Sequence, residues 1–69
     1  MSAQDFVAEE LSSIIKEFGV PAFTQDEADT LDQLERELNK DLANGEFPMA
    51  VLLRIRRIYS AAKQRRKKR

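Results

Sequence analysis

The sequence predicts an all-α protein: an antiparallel helical hairpin with helices over about 25–43 and 48–66, joined by an additional N-terminal helix over about 3–18, in a small three-helix domain or a dimer. Three observations carry this. Apolar residues recur at spacings of three and four along each of the three segments. Capping residues open the first two segments, and both glycines of the chain stand where a segment ends. Only two prolines occur, one after the first segment and one at the start of the third.

The first helix opens at Ser2 as N-cap, with Asp5 three residues on and a Met1 to Phe6 staple, and carries Val7, Leu11, Ile14 and Phe18 on one face. Gly19 ends it and Pro21 forbids its continuation. The second helix begins at Thr24 in the sequence TQDE, a capping box in which Glu27 reaches back, and Asp26, Glu27 and Asp29 complement the positive end of the helix dipole. Leu31, Leu34, Leu38 and Leu42 form its apolar stripe, and Asn44-Gly45 is its stop. Pro48 suits the first turn of the third helix, whose core face centres on Val51, Ile55, Ile58, Tyr59 and Ala62.

The second and third helices are each about 28 Å long at 1.5 Å per residue, and the short link between them implies a hairpin. Folding at that link sets Leu42 near Val51, Leu38 near Ile55, Leu34 near Tyr59 and Leu31 near Ala62, all apolar pairs. Glu35 and Asp41 border one stripe, and Arg54, Arg56 and Lys63 flank the other, so part of the charge is expected to pair across the hairpin. The stripe of the first helix can dock within the chain or onto a neighbour through Gly19-Val20-Pro21-Ala22. Residues 1–69 are read as one domain, with 64–69 a basic, frayed tail.

The net charge of zero hides a strong segregation. All 12 acids lie between Asp5 and Glu46, where only Lys16, Arg36 and Lys40 oppose them, leaving that part nine charges negative and residues 47–69 nine charges positive. The field near a surface follows the local distribution, screened over roughly 10 Å at moderate salt. The chain closes on KQRRKKR, where neighbouring like charges repel along a helix. Such an end suits phosphate contact, since clustered cations without interleaved aromatics favour backbone binding over base stacking. A solvated helix end, an acidic protein groove or, less readily, anionic lipid are the other readings.

With no His and no Cys, the commonest general base, the thiol nucleophile, the soft metal ligands and any disulfide are absent. Asp26, Asp29 and Asp32 resemble a calcium loop only superficially, because no glycine provides the turn and the leucine periodicity runs through them. We therefore expect no enzyme, cofactor or metal. The first ten residues, MSAQDFVAEE, are acidic where a signal peptide is basic then apolar, so a cytoplasmic location is expected and membrane association is not.

The expected role is a non-enzymatic accessory protein that contacts the DNA or RNA backbone through Arg57, Lys63, Arg65, Arg66, Lys67, Lys68 and Arg69. The alternative is a protein-interaction module or inhibitor that binds a host or partner protein through an apolar or acidic helical surface. Met49 and Leu53 point away from the hairpin seam, with Arg56 at their rim. They are covered by the first helix or form a homodimer or partner interface. The stretch FTQDEADTLDQL from Phe23 to Leu34, the turn at Gly45 and LLRIRRIY from Leu52 to Tyr59 resemble a helical-hairpin segment of small accessory proteins of phages and mobile elements. The resemblance spans residues 23–60 and departs at Phe47-Pro48, where that segment has a Ser cap and a Lys-Gln pair. It implies an accessory role.

Overall fold

In the computed structural model residues 2–67 are described, with side chains through residue 65. The chain forms α1 (Ala3–Phe18), α2 (Gln25–Ala43) and α3 (Met49–Lys67). Each boundary has a local cause. Ser2 Oγ accepts from the Asp5 amide at 3.2 Å and starts α1, while the Met1 staple lies outside the described residues. Gly19, at φ 71°, donates its amide to the Ile15 carbonyl at 2.7 Å and stops it. Thr24 and Glu27 form the reciprocal capping box, the Glu27 amide donating to Thr24 Oγ1 at 3.1 Å and the Thr24 amide to Glu27 Oε1 at 2.9 Å.

At the end of α2 the Glu46 amide donates to the Asp41 carbonyl and the Gly45 amide to that of Leu42, the two bonds of a Schellman motif. Gly45 takes the left-handed φ of 76° this motif needs. Nothing stands within 4 Å of where a Cβ would sit, so the demand for glycine there is conformational and not steric. Pro48, fully buried just ahead of Met49, sets the direction in which α3 returns.

The hairpin of α2 and α3 forms as expected, and α1 docks within the chain on α3, so that α3 is the middle helix. α1 and α2 each pack along α3 and barely meet each other. The molecule is accordingly flat, 42 × 22 × 14 Å. One apolar cluster joins the helices: Val7 and Ile14 of α1, Leu34 and Leu38 of α2, and Val51, Leu52 and Ile55 of α3.

The core face of α3 is wider than the sequence reading. Leu52 is 4 % exposed, although it lies to one side of the Val51–Ile55 line. α1 packs on that side of α3, and it leaves Met49 and Leu53 uncovered at 50 % and 58 % exposure. Burial of Met49 and Leu53 by the first helix is thus corrected: Leu53 borders Glu17 and Phe18 at the end of α1 yet stays more than half exposed, because a 100° step per residue turns it away from the face that α1 covers.

Candidate functional site

The cations of α3 divide by the neighbours that geometry provides. Arg56 Nη2 donates to both carboxylate oxygens of Glu17, at 2.8 and 3.0 Å, and its guanidinium lies 5.1 Å from the Phe18 ring centre. Lys63 Nζ donates to the Glu17 main-chain carbonyl at 3.0 Å and lies 5.8 Å from the same ring. Both cations therefore meet the negative end of the α1 dipole. Their partners come from α1 and not, as the hairpin register suggested, from Glu35 or Asp41 of α2. The Arg56–Glu17 pair is 44 % and 52 % exposed, which limits it to about 0 to 1 kcal/mol.

Arg65 reaches the start of α2. Its Nη1 and Nη2 donate to Glu27 Oε2 and Oε1, both at 2.8 Å, and Nη2 also donates to the Ala22 carbonyl at 3.1 Å. Glu27 thus accepts from Arg65 while capping Thr24, and its side chain is 19 % exposed. The bonds from Arg65, then that from the Thr24 amide, hold its carboxyl down at about 2, and the carboxylate in turn raises the Arg65 guanidinium above its usual range. A carboxyl held below its unfolded value contributes stability that is complete above about 4.5 and is lost as pH falls towards 2. The melting temperature of Glu27→Gln, which keeps a capping acceptor but no charge, is expected to lie below wild type at pH 6 and to converge with it near pH 2. Circular dichroism melts check this, and a difference independent of pH would count against the charged pair.

Of the residues named for phosphate contact, Lys63 and Arg65 thus tie the helices together, and Arg57 is exposed on the outer face of α3. Arg66, Lys67, Lys68 and Arg69 lie outside the residues whose side chains are described. Met49, Leu53 and Arg57 follow one another at intervals of four along that outer face, as an i, i+4 ridge.

On the opposite side, the gap between α1 and α2 is an open groove of about 590 Å³. Ile55 and Tyr59 of α3 form its floor, Leu11 and Ile15 one wall, and Leu31, Leu38 and Leu42 the other. Ile15 is 45 % exposed there. Glu35 and Asn39 stand on the α2 edge and Gln4 on the α1 edge. Asp32, exposed and three residues before Glu35, shares that face of α2. The sequence reading did not anticipate this groove. The signal was present in the tandem Ile14-Ile15, since one helix face buried on a single neighbour accommodates only the first of them.

The described residues hold no cluster of acids arranged for a metal ion, and no described helix is long and apolar enough to cross a membrane. No known protein family, curated protein or solved structure matches this chain.

Proposed function

We propose that this protein is an interaction module that receives an amphipathic helix in the groove between α1 and α2. The observation that supports this most is the groove itself, a partly open apolar trough that the described helices leave unfilled. Helix-in-groove recognition uses apolar anchors at i, i+3, i+4 and i+7. The acidic α2 edge, Glu35 with Asp32, and the nine net negative charges of residues 1–46 favour an occupant with basic flanks.

The probe is a designed helix of about 18 residues, roughly 27 Å long, with leucine anchors and lysine flanks, set against a twin with glutamate flanks. Fluorescence anisotropy is expected to show micromolar binding of the lysine peptide, much weaker binding of its twin, and loss of both with Ile15→Asp. Equal binding of the two, or binding indifferent to Ile15, would overturn the reading.

A second reading is favoured by the exposed Arg54 and Arg57 on α3 and the basic residues that follow: contact with the DNA or RNA backbone. Labelled duplex DNA in the same assay tests it, with a salt slope of about −0.9 per phosphate contacted. The truncation to compare removes residues 66–69 and not 65–69, because Arg65 holds the start of α2. No binding at low salt removes this reading. Either role accords with the accessory function that the resemblance of residues 23–60 implies.

A further inference from the structure

We infer that the groove takes the α3 ridge of a second copy of this chain, so that the protein assembles head to tail. This rests on the reading of the groove as a helix site and names its occupant. The molecule is a shallow trough with α3 at its base, 14 Å across its thinnest dimension. Ile55 and Tyr59 face into the trough, and Leu53 lies about 160° around the helix from Ile55, on the outside. The outer ridge runs Met49, Leu53 and Arg57, with two apolar side chains at least half exposed. An exposed i, i+4 ridge, whose Leu53 and Arg57 border a shallow cleft with Glu17 and Phe18 of α1, stands on one face and a concave apolar groove on the other, and a ridge of this kind packs into such a groove.

Charge selects this pairing from the three that two copies allow. Groove against groove gathers Glu35 and Asp32 of both copies at one contact, and ridge against ridge gathers Arg57 of both copies without bringing either acidic α2 edge to them. Ridge into groove sets Arg57 and the neighbouring Arg54 against the acidic α2 edge. Because groove and ridge lie on opposite sides of one molecule, two copies cannot satisfy both surfaces reciprocally. The contact is heterologous, and each added copy leaves a groove at one end and a ridge at the other.

Sedimentation velocity from micromolar to millimolar protein tests the inference. The average mass is expected to rise with concentration past that of a dimer, and to rise less at high salt. Leu53→Glu spoils the ridge and Ile15→Glu the groove, each placing a charge against apolar surface and weakening association about tenfold or more. An equimolar mixture of the two variants is then expected to give a one-to-one pair and nothing larger, since one intact groove meets one intact ridge. Circular dichroism monitors folding, and Met49→Gln replaces Leu53→Glu if the latter loses helix.

A wild type that stays monomeric throughout, a mass that stops at a dimer, or a mixture that does not pair would overturn head-to-tail assembly. A monomeric wild type that still binds the lysine-flanked peptide sinks the self-assembly and keeps the helix groove. Association that depends on Leu53 but ignores Ile15 overturns head-to-tail assembly, and the helix groove then falls only if the lysine-flanked peptide also fails to bind.

Discussion

Leu34→Ala is expected to cost about 3 kcal/mol and to shift the urea midpoint far below that of wild type. Leu34 is 1 % exposed and belongs to the single cluster that joins the three helices. Truncation there removes the transfer energy of the lost methyl groups and leaves a cavity between helices held by few other contacts. The consequence is large because the core is small. A chain of 69 residues has a stability of roughly 3 to 10 kcal/mol at about 0.05 to 0.15 kcal/mol per residue. The loss therefore removes about a third of that stability or more, and at the lower bound roughly half of the variant is unfolded at 25 °C. Urea denaturation followed by circular dichroism measures it. A loss below about 1 kcal/mol would show that the helices do not meet at Leu34 as described.

The second large effect is a contrast between neighbours. Leu52→Ala is expected to cost about 2 to 4 kcal/mol and Leu53→Ala less than about 0.5 kcal/mol. Leu52 is 4 % exposed and packs in the core cluster, whereas Leu53 is 58 % exposed on the outer ridge. Both are apolar, both lie in the same turn of α3, and their intrinsic helix propensities are equal, so the difference isolates the docking of α1. Measurements in dilute protein keep association through Leu53 from contributing. The reverse order would place α1 on the other side of α3, and equal losses would show that α1 does not distinguish the two leucines.

The contrast also bears on the candidate surfaces. Because Leu53 contributes little to the monomer, its substitution reports on contacts between molecules, and the same holds for Ile15 at 45 % exposure. Arg65 differs, since it bonds both Glu27 and the Ala22 carbonyl. Removing it weakens the link between the end of α3 and the start of α2, so loss of binding on truncation through position 65 would mix a folding effect with a loss of cations. Arg57, with its exposed side chain and no ion pair among the described residues, is the cleaner position at which to test charge.

The sequence by itself determined the elements and the hairpin. Ser2, the Thr24–Glu27 box, Gly19 and the Asn44-Gly45 stop act on groups within about five residues, so their effect is readable without knowing the fold. The leucine stripe of α2 and the short turn also set which face of α3 returns onto it, and the Arg65–Glu27 pair lies where that register puts it. Only the tertiary structure decided on which side of α3 the first helix rests. Leu52 and Leu53 are chemically equivalent and one residue apart, and the contacts that choose between them join residues distant in sequence, such as Arg56 with Glu17 and Lys63 with the Glu17 carbonyl. The groove follows from that choice, because α1 and α2 both find their burial on α3 and leave Ile15, Leu31 and Leu42 facing a gap that no local pattern records.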